Sequence, residues 1–215
     1  FFKQKKHMIK ATIYTIMFLI SFYSVLGQVP GGNYYVGTND HGGTITHSMG
    51  TLKEAIDYLN THGLTSADDG DVIIILTDAS YTEDPITVSN FANSSETNKV
   101  IIKPYTGVSP VISFDNAADS HGLLCDSCNN FEIDGSSIID GNSRDLSLTH
   151  LNYGYVIKLD GTIDNLVIKN SNLYSINNSI SDIYTLIYGI NNGKTNINIE
   201  NNWFYKAKTG ISILL

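Results

Sequence analysis

The residues of this 215-residue chain that could bind or react are few and fall in a small number of places. The stretch from Ile139 to Gly154 holds Asp140, Asn142, Arg144, Asp145 and His150. Arg144 is the chain's sole arginine. Its planar fork of donors suits a carboxylate such as that of an acidic sugar. Asp140 with Asp145 offers the oxygen ligands that Ca²⁺ prefers. A solvated polar loop accounts for the same residues, because exposed charges that pair there contribute little. Trp203 is the one tryptophan, and Tyr153, Tyr155, Tyr184, Tyr188 and Tyr205 are the other aromatics of the C-terminal third that draw attention. Such rings stack on sugars, and they also fill cores and ladders. Trp203, Arg144 and His150 are therefore the candidate carbohydrate-binding set, with Asp140 and Asp145 the candidate metal ligands. Cys125-Asp-Ser-Cys128 reads as a local disulfide or a half-buried thiol pair. A redox site would need a helix N-terminus, and zinc would need two more ligands where His121 alone is near. No catalytic residue is assigned.

Composition narrows the partners. Thirteen Lys and Arg stand against 21 Asp and Glu, for a formal net charge of −8. Charged residues make up 16 % of the chain, against roughly 25 % in an ordinary domain. The sequence pI near 5.0 lacks the basic footprint of a nucleic-acid binder. Two cysteines cannot build a disulfide framework, while 42 % hydrophobic residues suffice for a core.

The first 27 residues read as an address. Lys3, Lys5, Lys6 and Lys10 precede an apolar run from Ala11 to Leu26, and Gly27 closes it, in the order of a secretory signal peptide. The run is shorter than the roughly 20 residues that span a bilayer. Residues 1–7, before Met8, read as upstream read-through. Removing 1–27 takes away four lysines and no acid, which moves the net charge from −8 to −12. The expectation is an exported, acidic monomer, secreted or held at a cell surface, without a membrane span beyond the leader.

Residues 28–70 are expected to hold a linker, a strand at Asn33–Val36 and one helix. Thr51-Leu-Lys-Glu54 is a capping box, and Leu52, Ala55, Ile56 and Leu59 make one apolar stripe. Gly63 is the expected C-cap. From residue 71 onward the pattern turns to short β-rich runs punctuated by Gly, Asn and Asp. Asn130-Phe-Glu-Ile-Asp-Gly-Ser-Ser-Ile138 lines up with Asn165-Leu-Val-Ile-Lys-Asn-Ser-Asn-Leu173 and with Asn196-Ile-Asn-Ile-Glu-Asn-Asn-Trp-Phe204. Lys99–Pro104 and Asp71–Leu76 are weaker copies. Unit starts at 71, 99, 130, 165 and 196 give a period of the solenoid kind.

Within a unit, the second and fourth residues are apolar, so one strand face is buried. The sixth is Gly135, Asn170 or Asn201, types that tolerate a left-handed bend. The ninth is apolar again: Ile138, Leu173 and Phe204. A further strand precedes each unit at Leu123–Cys125, Tyr155–Leu159 and Leu186–Ile190, which makes about three strands per turn. Asp134, Lys169 and Glu200 are expected to form an exposed column of mixed sign. Alternation points Trp203 outward. An antiparallel sandwich is the rival architecture, with Asp134-Gly135, Asp140-Gly141, Asp160-Gly161 and Asn192-Gly193 as its hairpins. The repeat register places two of the Asp-Gly sites non-equivalently and favours the all-β parallel solenoid over 71–215.

These units resemble the right-handed parallel β-helix superfamily, the pectin-lyase-like fold. The leader of Tyr35-Val36-Gly37, Thr51–Ile56, Asp69–Ile75 and Ala79-Ser-Tyr-Thr-Glu83 is similar to the start of many such proteins. The resemblance covers nearly all of 33–215 and implies an N-terminal capping helix on a β-helix, with Asn170 and Asn201 as two steps of a structural asparagine ladder. It leaves activity open, since the superfamily includes lyases, hydrolases, esterases, tailspikes and non-enzymatic surface proteins. Neither a stacked Asp cluster with a basic residue nor a Gly-His-Gly is present in this sequence. Three functions are open: a glycan- or surface-binding module, a polysaccharide lyase or hydrolase with active rungs beyond residue 215, and a structural stalk. The apolar Gly210–Leu215 run reads as a strand of a turn that continues, so the chain reads as the N-terminal part of a longer protein.

Overall fold

The computed structural model describes residues 27–38, 49–65, 69–115, 120–138, 140–152, 154–176, 185–190 and 193–213. The expected leader lies outside these residues apart from Gly27, as do Tyr153, Tyr184, Ile139 and Asn192. No helix among the described residues is long and apolar enough to cross a membrane.

Val-, Ile- and Leu-rich alternation forms strands from residue 72 onward, and every strand pairing is parallel. The first turn consists of β2 (Val72–Leu76), β3 (Ser80–Glu83) and β4 (Ile86–Val88). The second is β5 (Val100–Pro104), β6 (Val111–Phe114) and β7 (His121–Asp126). The third is β8 (Asn129–Asp134), β9 (Leu146–His150) and β10 (Tyr155–Asp160). The fourth is β11 (Ile163–Lys169), β12 (Ser171–Ser175) and β13 (Thr185–Gly189). The fifth is β14 (Lys194–Glu200), β15 (Trp203–Tyr205) and β16 (Thr209–Ile213). The first strands of the turns stack into one sheet, and β1 (Gly32–Val36) extends it by pairing with β2. The second strands form another sheet and the third strands a third. This is a parallel β-helix. A sandwich would show antiparallel ladders at the Asp-Gly sites, and instead each of these strands finds its partner one turn away.

The core follows from register. Val72, Val100, Phe131 and Leu166 stack in one inward column, and Ile74, Ile102, Ile133 and Ile168 in the next; all are at most 1 % exposed. Ile197 and Ile199 continue the two columns, partly buried. A one-residue slip would turn each set to solvent, so the alternation itself holds the register.

The helix α1 (Leu52–His62) closes one end of the stack. Thr51 accepts from the Glu54 N–H at 3.1 Å, and the Glu54 carboxylate accepts from the Gly50 N–H at 3.0 Å. Leu52, Ala55, Ile56 and Leu59 are buried, and Gly63 ends the helix at φ 67° with its N–H on the Leu59 carbonyl. The Tyr-Thr-Glu run of β3 holds this cap. The Tyr81 hydroxyl donates to the Val36 carbonyl at 2.6 Å. The buried Glu83 carboxylate accepts from the N–H groups of Leu52 and Lys53 at 2.8 and 3.2 Å. An anion at a helix N-terminus meets unpaired donors and the positive end of the helix dipole.

Three local expectations need correction. Gly135 is absent from the residues of positive φ, whereas Asn170 (56°) and Asn201 (49°) are left-handed. Glycine is needed at 135 for closeness, because a Cβ there would collide with the Asn170 carbonyl oxygen. Ile138 is 59 % exposed and does not face inward. The column of Leu173 and Phe204 is continued by Leu148 of β9, because β8 ends at Asp134 and the next strand begins only at Leu146. Of the charged column, Glu200 is exposed and Lys169 half-buried, but Asp134 is only 6 % exposed, like Glu132 two residues before it. Lys169 bridges them, at 2.9 Å to Glu132 and 3.6 Å to Asp134, and Lys99 reaches Glu132 from the other side at 3.1 Å.

Candidate functional site

The outer face of the sheet containing β9, β12 and β15 brings two of the predicted carbohydrate-binding residues together. Alternation along β15 buries part of Phe204 and turns Trp203 and Tyr205 outward. Trp203 is 58 % exposed. Parallel register stacks Tyr205 over Tyr174, with ring centroids 4.7 Å apart and planes 16° from parallel. Trp203 leans on Tyr205, centroids 4.8 Å apart at 33°. Burial, and after it the neighbouring Tyr174, pushes the Tyr205 phenol above its ordinary value, so it stays a hydroxyl donor at neutral pH. The three rings make one firm aromatic ledge with the indole as its open face.

Polar groups border the ledge. Asn172 sits one turn from Trp203 in the same column, and its side-chain amide donates to the Arg144 carbonyl at 3.0 Å. The exposed Arg144 guanidinium donates through Nη1 to Asn201 Oδ1 at 2.8 Å. A guanidinium has five N–H donors in a fixed fork, so most of its capacity remains for a ligand. Asn201 in turn donates to the Asn142 carbonyl at 2.9 Å and to Asn170 Oδ1 at 2.7 Å. The connection ahead of β9 is thus pinned beside Trp203 by the amide ladder of the bends. Together the indole face, the guanidinium and the amides can stack on one ring face and hydrogen-bond the groups at its edge.

His150 does not join them. It is 1 % exposed and lies at the inward end of β9, in register with Phe114 and Ser175. Its Nδ1 accepts from the Asn152 N–H at 3.2 Å, which leaves the proton on Nε2. Nε2 has no hydrogen-bond partner among the described residues. Inward alternation from Leu148 removes His150 from the surface set. Asp145 shapes the loop: its Oδ2 accepts from the Ser137 N–H and hydroxyl and from the Ser143 hydroxyl, at 3.1, 2.6 and 2.7 Å. Burial raises its carboxyl, and these bonds outweigh that, so it sits below its ordinary value. Asp140 is exposed at a left-handed φ of 53°. Among the described residues no group of three or more His, Cys, Asp or Glu is placed to hold a metal ion. Cys125 and Cys128 are buried free thiols.

Sequence reasoning passed over two features. Tyr174 holds the place in its unit that Tyr205 holds in the next, which was the available sign that the two would stack. Asn130, Asn165 and Asn196 open three successive units and are all left-handed, with φ of 52°, 54° and 50°. Asn165 donates to Asn130 Oδ1 at 2.8 Å, so a second amide ladder stands beside the expected one of Asn170 and Asn201. Tyr155 and Tyr188 stack on the neighbouring sheet, 4.2 Å apart at 6°.

The fold and this ledge define an all-β parallel β-helix with an aromatic and amide-rich outer face. Comparison of the chain with protein-family models, curated proteins and solved structures finds no match.

Proposed function

We propose that the chain is an exported β-helix module that binds a polysaccharide or cell-surface glycan on the face around Trp203. The observation that carries this reading is the 58 % exposed indole on a rigid tyrosine stack with Arg144 beside it. Leaving so large an apolar ring in water gives up burial it would otherwise gain. Aromatic side chains with one apolar face and polar neighbours suit ligands that carry both characters, as sugar rings do. The ledge needs no loop movement to receive a ring, because Tyr174, Tyr205, Asn172 and Asn201 are held by register and by the ladder. Net charge favours glycans over nucleic acid as the partner, since the acidic chain repels a phosphate backbone.

A glycan array spanning neutral glucans, polyuronates and bacterial surface polysaccharides tests the reading. Binding to at least one class, weakened in Trp203→Ala, supports it. Binding to none, by a chain shown folded, overturns it.

A further inference from the structure

Cys125 and Cys128 stand at the corner where the second turn passes into the third. Cys125 is an inward residue of β7, in register with Val88 and Leu159 of the adjoining turns. Ser127 takes a left-handed φ of 55°, and its N–H donates to the Asp160 carbonyl at 2.9 Å. That bend turns Cys128 inward as well, beside the place that Ile163 fills one turn on, where Asp164 pairs with Asn129. Both thiols are 0 % exposed and belong to the same apolar core. The next turn fills the matching corner with Leu159 and Ile163, so apolar packing alone does not require sulfur there twice. Two residues separate the cysteines, and the bend aims both side chains into one space.

We propose that Cys125 and Cys128 are an intrachain disulfide site, closed while the third turn folds onto the second in the presence of a disulfide-bearing oxidant. One cysteine thiolate attacks the oxidant's disulfide and releases one thiolate, leaving a mixed disulfide. The second cysteine thiolate then displaces the remaining oxidant half. The two cysteines lose two protons and two electrons, and the oxidant leaves as two thiols. The step belongs to folding and not to the finished structure. In the packed corner neither sulfur meets solvent, and the Cys128 contact followed by burial pushes the Cys125 thiol well above its ordinary value, so the attacking thiolate is scarce. The ring closed is short, and the entropic gain from a short loop is small. Mass and thiol count, not melting, are the sensitive readouts.

The chain is unfolded in denaturant and refolded either with glutathione disulfide and glutathione or with a reductant. Circular dichroism confirms the recovered fold, and intact mass is compared with alkylation after renewed unfolding. The oxidised preparation should be two hydrogens lighter and take up no alkylating reagent. The reduced preparation should take up two equivalents after unfolding and almost none while folded. Cys125→Ser and Cys128→Ser should each refold without the two-hydrogen loss. Unchanged mass with two alkylatable thiols in the oxidised, folded chain would overturn the proposal. So would a bridge between two chains, or a chain that regains its fold only when kept reduced.

Discussion

The side-chain amide of Asn201 donates to Asn170 Oδ1 at 2.7 Å, one turn of the solenoid away. Asn170 passes the chain on to Asp134 Oδ1 at 2.8 Å. Both asparagines are left-handed, a conformation that costs other L-residues roughly 1–2 kcal/mol. Asn170 is only 5 % exposed, so removing its amide leaves buried partners unmet, at roughly 1–3 kcal/mol. Asn170→Ala is expected to lower unfolding stability by both amounts, and Asn170→Gly by the hydrogen-bond part alone. Urea unfolding of the two variants checks this; equal losses would mean that the backbone conformation contributes nothing.

Leu166 is fully buried in the inward column, while Ile199 stands further along the adjacent column with part of its surface open. Leu166→Asp places an unpaired carboxylate among apolar side chains and should cost at least about 4 kcal/mol, among the largest single-residue effects. Ile199→Asp should cost clearly less. Thermal melts decide it, and a Leu166→Asp chain that melted like the parent would invalidate the register.

Two buried glutamates give opposite dependences on pH. Burial raises Glu132, and the hydrogen bonds and charges of Lys169 and Lys99 outweigh it, so its folded value lies below the ordinary one. Its contribution is present above the ordinary glutamate range and is lost as pH falls through the lowered value. Glu83 is raised, chiefly by burial, despite the N–H groups of Leu52 and Lys53. Its contribution is complete below the ordinary range and fades as pH rises through the raised value. Glu132→Gln should therefore flatten the loss of stability between about pH 5 and about pH 3, where glutamate ordinarily titrates near 4.3. Glu83→Gln should steepen the rise of stability with pH near and above that value. Denaturant midpoints measured across this range separate the two signs.

Much of the architecture was legible because a two-residue alternation leaves only one register that buries its apolar face. Val72, Val100, Phe131 and Leu166 met in one column as the aligned units require. The capping helix was equally readable from Thr51, Glu54 and the Leu52–Leu59 stripe. The alignment failed where an insertion interrupted a unit. Ile138 was apolar at the right spacing, yet the longer connection ahead of β9 displaced it and Leu148 took its place. The same connection hid β9, and with it the inward position of His150. Of the site, Trp203 was correctly placed from alternation alone. Its supports were not, because Tyr174 and Asn172 approach it from the preceding turn, and only the alignment of successive units, not a local pattern, marks that neighbourhood.

Trp203 carries the functional reading, and its contribution is separable from folding because the indole is exposed. Trp203→Ala should change melting little, since exposed substitutions usually stay within about 0.5 kcal/mol. Titration of parent and variant against the strongest array polysaccharide, by calorimetry, is the most direct test. A fall in affinity of about tenfold or more, equivalent to roughly 1.4 kcal/mol, is predicted with both proteins folded. Equal affinities for parent and Trp203→Ala would contradict the account of this face as the glycan-binding surface.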